Sequence, residues 1–228
     1  MRAVAQERAH PYSLGLARHY AASLHHRRRE AGAVQAQAEA LLPLAAAHGF
    51  PLWAGFGTCW RGWTLVQQGQ GAAGLAVLHQ GMAAVLATGQ ELGRPFCLVI
   101  LAEAAGHADR VDEGLRLLGE ALAVMAASGR GDLLAEAYRL QGEFRLRRAG
   151  PEAAQAETCF QQALTIARRQ QAKSWELRAA MSLARLWQRQ GKRTAAQALL
   201  AEIYGWFTEG FDTANLQEAR ALLEELGK

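Results

Sequence analysis

Two histidines have a type and spacing that could support metal binding. His19 and His26 lie seven residues apart, which would place them on one face of a helix. A metal site needs three or four converging ligands with free lone pairs. The sequence fixes no third ligand, although Glu103 and His107 could face the same groove. We therefore predict packing or solvated histidines and no metal site.

A glycine-rich run and the arrangement of possible nucleophiles bear on cofactor binding and catalysis. Residues 69–74 read GQGAAG, which matches the GxGxxG pattern of dinucleotide-binding turns. That pattern binds pyrophosphate only when a strand precedes it, and here a helical pattern precedes it. No Ser-His-Asp or Cys-His set can be tied to a strained turn. We predict no cofactor and no enzymatic activity.

Arginines dominate the basic residues of the chain. They make up 22 of 25 Lys and Arg residues, the formal net charge is +4, and the pI is near 9.2. Arginine preference indicates recognition of carboxylates or phosphates in some proteins, but with 21 acidic residues interspersed, ordinary solvated faces are the favoured interpretation. Nucleic-acid binding would follow only from the basic pI and is not favoured.

The elements that must position these residues are indicated by small and apolar residues that recur every 40 residues, with a single step of 42 in each series. The small position of a first helix is Ala22, Gly62, Ala102, Gly142 and Ala184. Three positions of a second helix follow: Val34, Gly74, Gly114, Ala156 and Ala196; Ala38, Leu78, Leu118, Phe160 and Leu200; and Leu41, Gly81, Ala121, Ala163 and Ile203. Small side chains let helices approach closely, and larger ones fill the seam beside them.

This periodicity predicts an all-α, right-handed α-solenoid with no strand. Five helix-turn-helix repeats of about 40 residues are expected at about 10–49, 50–90, 91–129, 130–171 and 172–210, and a capping helix at 212–227. The whole of 1–228 is predicted to be a single repeat domain. Asp109 and Asp132 are predicted N-caps of the helices that follow them.

Composition also bounds the location of the protein. No apolar run reaches the roughly 18 residues that a membrane-spanning helix needs. The first ten residues lack the apolar centre of a signal peptide. Cys59, Cys97 and Cys159 are odd in number and far apart, which indicates neither a disulfide framework nor a CxxC motif. We expect a cytoplasmic protein with no membrane contact.

The pattern of small, aromatic and alanine positions resembles the tetratricopeptide repeat (TPR), with a period longer than the usual ~34 residues. Specific strings resemble the C-terminal helical repeats of bacterial class III adenylate or guanylate cyclases and of transcriptional regulators that carry an ATPase module. These strings are RGW at 61–63, QGQG at 68–71, GRPF at 93–96, YRLQGE at 138–143, AKSWELR at 172–178 and YGWFTEGFDT at 204–213. The resemblance implies a regulatory or interaction segment of a bacterial signalling protein.

The resemblance also implies a binding surface, because the first helices of such repeats line a concave groove. The positions it places there are His19, Ser23, His26, Cys59, Trp63, Val99, Glu103, Arg139, Glu143, Arg147, Met181, Arg185 and Arg189. Our expected binding residues are the histidines, Trp63, Glu103, Glu143 and the four arginines. The implied function is a non-catalytic scaffold for a protein or acidic peptide, with a homo-oligomer left open. The alternative is a sensor in which the groove, and Trp63 in particular, holds a small-molecule effector.

Overall fold

The structure, a computed structural model, describes residues 10–129, 131–148 and 153–228, and these residues divide into two compact units. The first unit ends at Val124 and the second begins at Met125, within the sixth described helix. The helices of the first unit, in chain order, are α1 (Pro11–Arg27), α2 (Ala31–His48), α3 (Pro51–Gln67), α4 (Gly71–Ala87), α5 (Arg94–His107) and most of α6 (Val111–Ser128), with one 3-10 turn (Glu91–Gly93) before α5.

The second unit contains the end of α6 and five further described helices. They are α7 (Leu134–Arg147), α8 (Ala153–Arg169), α9 (Lys173–Arg189), α10 (Arg193–Tyr204) and α11 (Ala214–Leu226). The last of these corresponds to the predicted capping helix. Leu216, Ala219, Leu222 and Leu226 are buried and its other face is charged, as a helix that covers an apolar end requires.

Consecutive helices pack against each other within each unit. In the first unit α1, α3 and α5 also contact one another in sequence, and in the second unit α7, α9 and α11 do so. This is the packing of stacked helix pairs, in which α1, α3, α5, α7 and α9 are the first helices. No strand occurs in the described ranges, so the prediction of an all-α fold of helix-pair repeats is confirmed. None of the helices in those ranges combines the length and apolar character needed to cross a bilayer.

The recurring small residues lie at the helix contacts, as the sequence predicts. All twenty positions of the four series are buried. One close approach is between α3 and α4, where a Cβ atom on Gly62 would lie 2.7 Å from the backbone nitrogen of Leu78. A Cβ atom on Gly74 would lie 2.7 Å from the carbonyl oxygen of Gly62. The two backbones therefore touch directly at this point.

The turns explain why two predicted helix caps are wrong. Residues that end successive helices adopt a left-handed conformation at steps of 20 residues: Arg29, Gly49, Gly69, Gly89, Asp109 and Gly129. Asp109 has φ of 59° and belongs to the end of α5, so it does not cap α6. Leu133, and not Asp132, occupies the N-cap position of α7. The sequence also predicts that a helix starts at Pro151, a residue that lies outside the described ranges.

Truncation of the Leu200 side chain would test the packing of the second unit. Its side chain is fully buried among residues of α9, α10 and α11. We expect Leu200→Ala to lower the free energy of unfolding by about 3 kcal/mol, because the truncation removes apolar contacts and leaves a cavity. Urea denaturation would measure the change. Leu92→Ala, at a side chain that is 58% exposed, serves as the control and should change stability by no more than about 0.5 kcal/mol; an equal loss in both variants would contradict the prediction.

Candidate binding site

In the first unit, His19 is surrounded by aromatic rings, although the sequence predicts that it lines a binding groove. The His19 ring lies 4.1 Å from the Phe56 ring and 5.4 Å from the Phe96 ring, measured between centroids. The indole nitrogen of Trp60 donates a hydrogen bond to Nδ1 of His19 over 3.3 Å. Helices α1, α3 and α5 thus meet through a closed aromatic layer. His19 is a packing residue of that layer.

His26 and Glu103 are brought together across the same unit. Nε2 of His26 donates to a carboxylate oxygen of Glu103 over 2.7 Å, which links α1 to α5. Both side chains are largely buried. The Trp63 ring packs edge-on against His26 at 4.9 Å and is only 3% exposed. These three expected binding residues are adjacent, but their contacts are mainly with each other and with the unit's interior.

Burial of His19 makes the stability of the protein depend on pH. Burial lowers the pKa of His19 to about 4 from an ordinary value of 6.5. The unfolded chain therefore binds a proton between these values that the folded chain does not bind, and stability is lost as the pH falls from 6.5 towards 4. We expect His19 to contribute a loss of about 3 kcal/mol between pH 7.5 and pH 4.

Urea titrations of the wild type and of His19→Gln at several pH values would measure this contribution. Other groups titrate in both proteins, so the quantity of interest is the difference between the two pH profiles. That difference should grow in the acid range in favour of the variant. Parallel profiles would contradict the neutral, buried state of His19.

In the second unit, Arg139 is bound inside the protein. Its Nε and Nη2 atoms donate to the two carboxylate oxygens of Glu136 over 2.9 and 2.8 Å. Arg178 of α9 also lies on this carboxylate, with 2.9 Å between Nη2 and Oε1. The side chain of Glu136 is 4% exposed, and those of both arginines are 11% exposed. Glu136 therefore joins α7 to α9 through its charge-assisted contact with Arg178, whereas its contact with Arg139 lies within α7.

Four of the expected binding residues on α7 and α9 are accessible to solvent. Ser182 of α9 donates to Glu143 of α7 over 2.6 Å, which places the faces of these two helices side by side. Glu143 is one-third exposed, Arg185 is 35% exposed and pairs with Glu218 over 2.6 Å, and Arg147 and Arg189 are exposed. Positions four residues apart share a helix face. We call Glu143, Arg147, Arg185 and Arg189 the α7/α9 surface.

Three residues of this arrangement were missed by the sequence reasoning. Glu136 lies three residues before Arg139, so the i,i+3 pair was readable as a helix-surface interaction. Ser182 and Arg178 are on the next first helix and carry no sequence signal of their own. Their roles depend on which residues of α7 they face. A single sequence does not specify that alignment beyond the repeat period.

The other chemical motifs lie in structural positions. Gly69 is a left-handed turn residue that follows α3, so the GxGxxG run has a helix before it, as predicted. Sγ of Cys59 and Sγ of Cys97 are 3.9 Å apart in the interior. The hydrogen bond with Cys97, together with burial, raises the pKa of Cys59 and keeps it a thiol. Within the described residues no three His, Cys, Asp or Glu side chains are grouped to hold a metal ion.

Comparison with known proteins defines the fold class. No protein-family model matches the sequence, and neither does any curated protein. Two crystal structures of a kinesin light chain-like protein of Podosopora anserina, with nearly identical TPR-like repeats, are similar to the chain. One, of a variant with a single substitution, has 21% identity and a TM-score of 0.57, covering 86% of this chain and 95% of its own. The other has 20% identity and a TM-score of 0.55, covering 95% and 97%. The chain thus has a TPR-like helical-repeat fold.

Proposed function

We propose that the protein is a non-catalytic scaffold that binds a protein or peptide through the α7/α9 surface. The observation that carries this proposal is that buried contacts fix α7 beside α9 while charged side chains of the same two helices remain accessible to solvent. The buried contact of Glu136 with Arg178 holds α7 against α9, and the contact of Glu136 with Arg139 fixes the same carboxylate within α7. Arg147 and Arg189 then extend into solvent from helices whose spacing is set. Prearranged charged side chains of this kind lower the ordering cost of binding.

The charge of the surface indicates an acidic partner. Three of its four residues are arginines, and Glu143 is engaged by the hydroxyl of Ser182. A guanidinium group binds carboxylates through two parallel hydrogen bonds, which favours aspartate or glutamate side chains or a terminal carboxylate. The effector-sensor alternative needs an open aromatic groove, whereas the ring of Trp63 is enclosed. The observations therefore favour a peptide over a small molecule.

An array of acidic peptides, followed by anisotropy titration of the peptides that bind, would test this function. The double variant Arg185→Glu with Arg189→Glu should weaken binding about tenfold or more. Arg220→Glu is the matched control, because Arg220 lies on α11 in the same unit and is 71% exposed. Its binding should match that of the wild type. If no acidic peptide binds, or if both variants bind equally, the proposed site is wrong.

We further propose that the chain acts as a single repeat array within a cytoplasmic signalling protein of bacterial origin. This context is supported by the sequence strings at 61–63, 93–96, 138–143, 172–178 and 204–213. The repeat period continues through both compact units, with buried small positions in each. The expected role is regulatory, because a scaffold without chemistry of its own acts by bringing a partner to another activity.

A further inference from the structure

A cleft lies between α2 and α3 of the first unit, and we call it the α2/α3 cleft. Its lining includes Gln35, Ala38 and Glu39 of α2 and Arg61, Leu65 and Gln68 of α3. The cleft has a volume of about 230 Å³. Pockets that hold drug-sized ligands usually measure about 300–1,000 Å³. The α2/α3 cleft is therefore of a size that suits a single side chain.

The repeat provides an equivalent location in the second unit, between α8 and α9. Both helices align with α2 and α3 at one constant shift, because Ala38 aligns with Phe160 and Gly62 with Ala184, 122 residues later in each case. Each pair also forms a hydrogen bond between the same two positions, Gln68 to Gln35 over 2.9 Å and Gln190 to Glu157 over 3.4 Å. The two helix pairs can therefore be compared residue by residue.

A tryptophan occupies this location in the second unit. Trp187 of α9 stands at the position of Leu65, and its indole nitrogen donates to Glu157 of α8 over 2.7 Å. Its ring also packs against the buried core of that unit. In the first unit Leu65 is the smaller side chain, and Ala38 stands at the position of the fully buried Phe160. The α2/α3 cleft thus lies where the same repeat holds an indole in the second unit.

Two charged groups at the cleft lack partners among the described residues. Gln35 donates to one carboxylate oxygen of Glu39 over 2.7 Å, and the other oxygen makes no hydrogen bond or ion pair with those residues. The guanidinium group of Arg61 makes none with them either. Both side chains are exposed. A ring that enters the cleft therefore has a hydrogen-bond acceptor in Glu39, and an acidic residue beside that ring has a counter-charge in Arg61.

The chain itself contains a tryptophan with these properties. Residues 1–9, 130 and 149–152 contain no aromatic residue, and of the six tryptophans, all in the described ranges, Trp206 is the exposed one, at 58%. Its ring lies 5.5 Å from Nζ of Lys173, which supports the ring on one side. Its indole nitrogen makes no hydrogen bond with the described residues. Glu209, three residues later, is exposed and likewise unpaired within those ranges.

We propose that copies of this chain associate head to tail, with Trp206 of one copy inserted in the α2/α3 cleft of the next. The indole nitrogen donates to Glu39, as that of Trp187 donates to Glu157, and Glu209 pairs with Arg61. The two surfaces differ, so the contact is heterologous and leaves one cleft and one Trp206 free at the ends of each assembly. This contact is separate from the α7/α9 surface of the proposed function.

Filling the cleft from within the chain would test the contact. Leu65→Trp introduces the residue that the second unit has at this position, so the variant should fold, which circular dichroism would check. Sedimentation velocity over a series of concentrations would measure association. We expect assemblies of the wild type to grow with concentration. Leu65→Trp and Trp206→Ala should each weaken association about tenfold or more, because each removes the buried indole from the contact.

A mixture of the two variants provides a complementation test. Leu65→Trp keeps Trp206 but has a filled cleft, whereas Trp206→Ala keeps the cleft but lacks the ring. Together they should form a 1:1 dimer that neither forms alone, and this dimer should not grow further. For the charges, Arg61→Glu should weaken association severalfold, and adding Glu209→Arg in the same chain should restore it.

Two controls separate this contact from other surfaces. Leu92→Ala removes an apolar side chain that is also 58% exposed, and it should associate as the wild type does. The double variant Arg185→Glu with Arg189→Glu should also associate normally, even though it is expected to lose acidic peptides. The proposed function and this inference can therefore fail independently.

Three results would overturn the proposal. One is a wild type that stays monomeric at every concentration, and another is association that Leu65→Trp leaves unchanged. The third concerns a synthetic peptide of residues 204–213, followed by fluorescence anisotropy. If this peptide bound the wild type and not Leu65→Trp while the wild type stayed monomeric, the cleft would accept a tryptophan of a partner protein, and not that of a second copy.

Discussion

Replacing Gly62 with leucine is expected to prevent the first unit from folding. A Cβ atom at this position would lie 2.7 Å from the backbone nitrogen of Leu78 and 2.8 Å from the carbonyl oxygen of Gly74. Both are backbone atoms of α4, so the clash cannot be relieved by rotating a side chain. Separating α3 from α4 would also open the contact at Gly81, where a Cβ atom would lie 2.7 Å from the backbone nitrogen of Cys59. We expect a loss of at least about 3 kcal/mol.

Urea denaturation followed by circular dichroism would measure this effect, with Gly119→Leu as the control. Gly119 lies within α6, is exposed, and has no atom within 4 Å of an added Cβ. Its replacement should raise stability by up to about 1 kcal/mol, because leucine favours the helix more than glycine does. A wild-type unfolding curve for Gly62→Leu would mean that the two backbones do not touch.

The fold could be predicted from the sequence because close packing limits side-chain volume at a repeating position. Gly62, Ala102 and Ala184 share a location where a larger residue would push two helices apart, so the period is visible in the sequence. Helix ends carry a weaker signal. Asp109 is of a residue type that is common at N-caps. However, the 20-residue spacing of the turns places it at a position with left-handed backbone conformation, which Asp tolerates and Gly favours.

The candidate site could be predicted only in part, because exposure depends on neighbours that the repeat pattern does not specify. The aromatic residues of α3 and α5 are large enough to close the first unit around His19 and Trp63. The spacing of the small residues does not specify the size of these aromatic side chains. Arg139 illustrates the same limit for charge. The family resemblance predicted which helix face Arg139 lies on. It did not predict that Arg139 pairs with Glu136, three residues earlier, in a largely buried position.

The second large effect is expected at Glu136. Glu136→Gln should lower the free energy of unfolding of the second unit by about 3–5 kcal/mol. The carboxylate lies between the guanidinium groups of Arg139 and Arg178 in a part of the protein with little access to solvent. A neutral amide of the same shape would leave two like charges near each other without their shared counter-charge. Chemical denaturation of the variant would measure the loss.

Glu224→Gln is the control for charge removal at an exposed pair. Glu224 is 61% exposed and bonds Arg220 over 3.0 Å, so its loss should cost no more than about 1 kcal/mol. If Glu136→Gln were equally mild, water would have to reach the three charges, and α7 would not be fixed to α9 through them. The α7/α9 surface would then lack the rigid base that we propose for binding. A large loss in Glu136→Gln together with normal stability of Arg185→Glu would instead show that the buried carboxylate stabilises the second unit and that Arg185 can be replaced without unfolding it.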